Sequence, residues 1–207
     1  MNIPYALIKP YNATPIVAFE GVDGSGKTSL CQKLAEHDAK IFFACIPEAY
    51  TQMPFKDYLA NNTTHLSSAL IYAASLADRK KLITKTTDCN FAITDRSIWS
   101  TLALLSVQCP DLLQPMLQVF GAVATQLPIP DVVYVLDVPY EVCIQRILRR
   151  RANLRKYDDL TPETYQKHMA FYRRLKELGV NIKFLRSEHM SYDDEIHFVL
   201  GDMYHEK

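Results

Sequence analysis

Ile16-Val17-Ala18-Phe19 is a short apolar run that ends at Glu20 and passes directly into Gly21-Val22-Asp23-Gly24-Ser25-Gly26-Lys27-Thr28. The run reads as a buried strand, and the glycines behind it mark a tight turn of the backbone. Residues 28–37 then place Leu30 and Leu34 four apart, with Gln32, Lys33 and Glu36 on the other faces, as in a helix with one buried stripe. Strand, turn and helix in that order give G-x-x-x-x-G-K-[ST] the context it needs. Glycines allow backbone conformations barred to other residues, so several N–H groups can converge on an anion at the positive end of the helix dipole. Average glycine usage of about 7% makes the full pattern rare by accident. The pattern implies a triphosphate, ATP, cradled by Gly21, Val22, Asp23, Gly24, Ser25, Gly26, Lys27, Thr28 and Ser29. Within that set, Lys27 bridges the β- and γ-phosphates and the Thr28 hydroxyl ligates Mg2+.

The rest of the chain alternates in the same way. Strands are expected at residues 41–46, stopped by Pro47, and at 91–94, 132–136 and 182–185. Helices are expected at 54–59, 66–86, 99–107, 112–125, from 139 into an arginine cluster, 161–178 and 193–203. The helix at 161 has a clear start, an N-cap hydroxyl on Thr161 followed by Pro162, and Gly179 ends it. Regular alternation implies an α/β fold, with a parallel sheet of about five strands covered by helices on both faces. A single domain over residues 1–207 is expected, with one irregular stretch at 152–160.

Composition narrows the function. Lysine plus arginine number 23, as do aspartate plus glutamate, so no whole-molecule field gathers nucleic acid or anionic lipid. Cys31, Cys45, Cys89, Cys109 and Cys143 are scattered without C-x-x-C spacing, which fits a reducing cytosol. Residues 1–14 lack the apolar core of a signal peptide, and no apolar run approaches about eighteen residues. These features predict a cytoplasmic protein that binds neither membrane nor nucleic acid. The histidines show no ligand spacing, so no zinc site is expected. A guanine-specific N-K-x-D is absent, and the only D-x-x-G, Asp23 to Gly26, lies inside the phosphate loop, which leaves kinases ahead of GTPases.

Several separate motifs make the chain resemble the thymidylate kinase family of nucleoside monophosphate kinases from about residue 16 to 185. Phe19 to Thr28 is close to that family's first motif, in which the aspartate, here Asp23, lies near the acceptor's sugar hydroxyl. Asp95-Arg96-Ser97 resembles its Asp-Arg signature, where the arginine grips the acceptor phosphate and the aspartate orients the acceptor oxygen or a magnesium water. A structural salt bridge would use the same two residues. Leu136-Asp137-Val138-Pro139 with Glu141-Val142 resembles the approach to the family's lid, here about residues 146–160. Arg146, Arg149, Arg150 and Arg155 would serve there, the last three on the transferred phosphate and Arg146 on ATP. Arg146, Arg149 and Arg150 share one helix face, while Ile144, Ile147 and Leu148 can pack inward. Because Gly24 stands where some members carry arginine, the lid is expected to supply the stabilising cations.

The resemblance implies a three-layer P-loop NTPase fold with an arginine-rich lid, ATP and Mg2+, and small-molecule nucleotides as partners. It also implies a homodimer, although the apolar helices around Leu70 and Leu112 suit core equally well. Lys27, Asp95, Arg96 and the lid arginines would be catalytic, with Thr28 and Asp95 on the metal. Asp23, Glu48, Tyr72, Arg79, Arg96 and Ser100 would bind the acceptor. Arg79 corresponds to an arginine facing the acceptor base, and a surface arginine fits its neighbours Lys80 and Lys81 as well. Three positions depart from the family: Ser75 replaces a stacking phenylalanine, Ala103-Leu104-Leu105 replaces Ala-Tyr-Gln, and Ala49 replaces a phosphate-binding arginine. Tyr72, one turn before Ser75, could restore the stacking surface. Trp99 is read as core. The acceptor is therefore dTMP, another pyrimidine monophosphate such as UMP, CMP or dUMP, or a different small molecule; a noncatalytic ATP-binding protein is the remaining alternative.

Overall fold

The computed structural model describes residues 1–47, 50, 52, 58, 62–86, 88–150, 160–186 and 190–205, with the backbone alone for Arg150. Five parallel strands, β1 (Ile16–Glu20), β2 (Ile41–Phe43), β3 (Phe91–Thr94), β4 (Val132–Leu136) and β5 (Ile182–Leu185), form one sheet in the order β2-β3-β1-β4-β5. β1 lies at the centre, with Val17 in register with Ile93 on one side and Val132 on the other. Every residue of β1 and β3 is buried. Strands buried on both faces need no hydrophobic alternation, which is why they read as continuous apolar runs.

The helices are α1 (Tyr5–Ile8), α2 (Lys27–His37), α3 (His65–Lys85), α4 (Ile98–Gln108), α5 (Pro110–Ala122), α6 (Tyr140–Arg150), α7 (Pro162–Glu177) and α8 (Tyr192–His205). α4 packs against α3, α5 and α7, and α2 packs against α8 and β2. Trp99, Leu102 and Phe120 from α4 and α5 join Met169 and Leu175 from α7 in the main core. Trp99 is core, as expected. The start of α7 is fixed as predicted: Thr161 and Thr164 cap each other's backbone, and Gly179, at φ 92°, follows its end.

Four features differ from the sequence reading. β2 stops at Phe43; Ala44 N–H still donates to the Ile93 carbonyl at 2.9 Å, but the chain then turns away before Pro47. α5 begins two residues early at Pro110, which suits a first-turn position, and gives way to a 3-10 turn at Ala124–Gln126. α1 was not anticipated; it buries Leu7, and Pro4 before it comes so close to Gly121 that a Cβ there would lie 2.6 Å from it. Leu148, expected to pack inward, is 50% exposed, while Ile147 is buried. The expected helix at 54–59 lies largely outside the described residues. No helix among the described residues is long and apolar enough to cross a membrane.

Candidate active site

The carboxyl ends of β1 and β3 lie side by side, so the phosphate loop and Asp95-Arg96 emerge into one crevice, where ligands of α/β sheets bind. The loop is shaped by close packing. Gly24 has φ +84°, and a Cβ there would lie 2.4 Å from the Cys143 carbonyl oxygen of α6. No side chain fits, which accounts physically for glycine at the position where an arginine would otherwise stand. Gly26, left-handed at φ 102°, precedes the first turn of α2 and leaves its amides facing the crevice.

Lys27 is buried, and its Nζ donates to the carbonyls of Gly21 at 2.9 Å and Val22 at 2.8 Å. Burial, followed by the positive charge of Arg96, lowers its pKa from the ordinary lysine value. An arriving polyphosphate would reverse that tendency by adding negative charge. The Thr28 hydroxyl donates to Asp95 Oδ2 at 2.8 Å, linking the loop to the end of β3. Arg146 reaches back from α6 and donates to the carbonyls of Gly24 and Ser25, each at 3.2 Å. Asp23, Ser29 and Arg96 line the same crevice as Lys27 and Thr28. Arg149 is exposed, and nothing is described of the Arg150 side chain or of Arg155.

On the acceptor side, the Arg96 guanidinium lies 2.5 Å from Asp23, and these side chains are 42% and 47% exposed. The Asp23 charge raises the Arg96 pKa and keeps it cationic. A planar, partly exposed guanidinium retains donors for a second anion. Tyr72 is partly buried, and its pKa is raised first by burial and then modulated by Arg96 and Asp23, so its hydroxyl shares their field.

Two expectations for the acceptor side need correction. Arg79 does not face open space: its side chain is 1% exposed, its Nη1 donates to the Arg96 carbonyl at 2.6 Å, and its Nη2 is 3.6 Å from Asp95 Oδ1. It is not the surface arginine that its lysine neighbours suggested, and its buried Nε and Nη2 make no hydrogen bond. Ser100 turns its hydroxyl onto Glu20 instead of the crevice. Ser75 is buried and donates to the Tyr72 carbonyl at 2.7 Å, so no stacking surface stands there, in line with the sequence. Glu48 and Ala49 lie outside the described residues.

Sequence reasoning overlooked Glu20. Its fully buried carboxylate accepts from Ser97 N–H at 2.8 Å, Ser97 Oγ at 2.7 Å, Tyr172 Oη at 3.0 Å and the Ser100 hydroxyl. It thereby ties the root of the phosphate loop to α4 and α7. A carboxylate closing an apolar strand was the available signal, because such a group must find donors when buried. His168 was also overlooked. It lies on α7 one turn from Tyr165 and Tyr172, whose hydroxyls bond Val138 and Glu20, and burial lowers its pKa with further influence from Asp23, Arg96 and Lys27. Tyr192, at the start of α8, places its hydroxyl 3.3 Å from where a Gly26 Cβ would stand, with the Lys33 ammonium 4.3 Å from its ring centre.

A parallel sheet whose central strand feeds a lysine-bearing phosphate loop, beside an Asp-Arg pair, defines a P-loop phosphotransferase. The thymidylate kinase family model matches residues 19–190, and the chain belongs to that family, a family of ATP-dependent nucleotide kinases. A probable thymidylate kinase 1 from Saccharolobus solfataricus is 30% identical over 145 residues, 67% of this chain and 72% of the relative. A thymidylate kinase from Carboxydothermus hydrogenoformans is 30% identical over 175 residues, 78% of this chain and 80% of the relative. Among solved structures, thymidylate kinase from Candida albicans superposes with a TM-score of 0.68 at 15% identity, covering 93% of this chain and 92% of that one. Deoxyadenosine kinase from M. mycoides gives 0.69 at 14% identity, covering 91% and 98%. At such identities the structural likeness speaks for the fold.

Proposed function

We propose that the protein transfers the γ-phosphoryl group of ATP to a nucleoside monophosphate, with dTMP, giving dTDP, as its acceptor. The observation that carries this reading is the convergence of Lys27 and Thr28 with Asp95 and Arg96 on one crevice. The loop amides hold the donor tail, and Lys27 leaves the Gly21 and Val22 carbonyls to follow charge onto the phosphates. Arg96 holds the acceptor phosphate, one of whose oxygens attacks the γ-phosphorus as the bond to the bridging oxygen of ADP breaks. Catalysis is then mostly positioning and electrostatics.

The Thr28 hydroxyl and the Asp95 carboxylate are hard oxygen donors at the mouth of the loop, and they fit magnesium completed by phosphate oxygens and water. Among the described residues no group of three or more histidines, cysteines or carboxylates is placed to hold a metal ion. When bound, magnesium would neutralise charge developing on the transferred group.

A lid at about residues 146–160 in a single domain of 1–207 would close over both nucleotides and exclude water. Arg146 already lies on the loop, and Arg149, Arg150 and Arg155 would follow. Leu66 and Leu70 on α3, 42% and 45% exposed, offer a face for a homodimer. The reading places the enzyme in the cytoplasm.

The closed position at Ser75 and the burial of Arg79 favour a second reading, with another pyrimidine monophosphate as acceptor. Purified protein with Mg-ATP and dTMP, dUMP, UMP, CMP, dCMP, AMP or GMP separates the two. ADP release fastest with dTMP supports the first, and fastest with another pyrimidine supports the second. ATP hydrolysis indifferent to every acceptor contradicts both.

A further inference from the structure

Tyr192 opens α8 with its side chain on the phosphate loop, yet its hydroxyl bonds nothing. The residue is 36% exposed, and among the described residues its Oη has no hydrogen-bond partner. A Cβ on Gly26 would stand 3.3 Å from Tyr192 Oη and 3.6 Å from Arg146 Nη1, so a phenol and a guanidinium flank one point on the loop. Arg146 is held there by the carbonyls of Gly24 and Ser25. The Tyr192 ring is oriented in turn by the Lys33 ammonium, 4.3 Å from its centroid, which occupies one ring face. Gly26, Ser29 and Lys33 succeed one another on one side of α2 by three- and four-residue steps. The ring therefore lies along the row that starts at the loop, and Gly26 and Ser29 of that row also line the crevice.

We propose that Tyr192 binds the donor nucleoside, its hydroxyl bonding a ribose hydroxyl of ATP beside Arg146. The inference rests on the reading of this loop as the ATP site. The loop amides and Lys27 take the β- and γ-phosphates, the first turn of α2 at Ser29 takes the α-phosphate, and the ribose is the next group outward. A phenol and a ribose hydroxyl each donate and accept, so the two satisfy one another whichever carries the shared proton. With Lys33 over the ring, Tyr192 acts through its hydroxyl and leaves the guanidinium of Arg146 for phosphate charge.

The test uses the full chain with Tyr192→Phe, which removes the hydroxyl and keeps the ring beneath Lys33. Calorimetry with Mg2+ and no acceptor compares ATP, 2′,3′-dideoxy-ATP and inorganic tripolyphosphate. Affinity for ATP should fall about fivefold, the worth of one neutral hydrogen bond, while the other two stay within about twofold. The unsubstituted protein should prefer ATP over dideoxy-ATP by about the same factor, and the substitution should erase that preference. In turnover, KM for ATP should rise about fivefold with kcat and the acceptor KM nearly constant. The proposal is overturned if all three ligands weaken together, the signature of a ring that only packs on the loop, or if ATP affinity does not change. Absence of acceptor-dependent turnover in the unsubstituted protein would break the kinase reading alone, because the calorimetry needs no acceptor; absence of Mg-ATP binding would overturn both. Should the variant not fold, a crystal structure of the unsubstituted protein with Mg-ADP decides: Tyr192 Oη bonded to a ribose oxygen supports the proposal, and a hydroxyl turned away from the sugar refutes it.

Discussion

The donor and acceptor halves of the crevice are built by different means. The donor half is local. Eight consecutive residues supply the loop, α2 begins inside it, and its tightest tertiary demand, room beneath Cys143, is met by the absence of a side chain at Gly24. The acceptor half is assembled from α3, β3, α4 and α7, and several of its polar residues turn inward to brace it, as Arg79, Ser75 and Ser100 do. A contiguous motif can keep its chemistry while the scaffold drifts. A site pooled from distant elements changes whenever one of them repacks.

The largest expected effect lies in the donor half. Lys27→Ala should lower kcat/KM by about 10³-fold, while far-ultraviolet circular dichroism stays that of the unsubstituted protein. Near-normal turnover would remove the loop from the chemistry and erase the contrast between the halves. On the acceptor side, Arg96→Met should reduce kcat/KM for the monophosphate by about 10²-fold, with the KM for ATP nearly constant. Steady-state kinetics with each substrate varied in turn checks this, and an effect shared equally by both substrates would mean that the halves are not separable.

The scaffold joining the halves should respond in stability. Glu20→Ala removes the acceptor for Ser97, Ser100 and Tyr172 together and should cost about 3 kcal/mol. Urea unfolding measures it, and a loss within error would show that the carboxylate braces nothing. The smallest effect is in pH. Burial holds the folded pKa of His168 below the ordinary histidine value of about 6.5. Between that folded value and about 6.5 the unfolded chain binds the extra proton, so stability rises with pH across the window and is lost as pH falls through it. Thermal midpoints from pH 5 to 8 should slope upward, and His168→Gln should flatten part of the slope.

These differences also explain what was legible beforehand. The strands, their parallel pairing and the loop followed from continuous apolar runs and one contiguous motif, so β1, α2, β3 and β4 fell within a residue of expectation. The inward turn of Arg79 had a signal that charge obscured: it shares a four-residue row with Ser75 and Ile83 and adjoins Leu76, all buried. An arginine flanked at helical spacing by Leu76 and Ile83 points to a buried cation. Tyr165, Met169 and Tyr172 mark the corresponding row of α7, and its hydroxyls identify the buried acceptors Glu20 and Val138 only once the helix is docked. Periodicity shows which residues go inside, but their partners depend on which helix lies opposite.

The central claim is that two anions meet across the loop and the Asp-Arg segment. It is tested most directly by a crystal structure with adenosine and thymidine joined through a polyphosphate. The account predicts a phosphate chain running from the amides of residues 24–28, past Lys27, to the guanidinium of Arg96. A chain that ends away from Arg96, with that side chain still closed on Asp23, would contradict it.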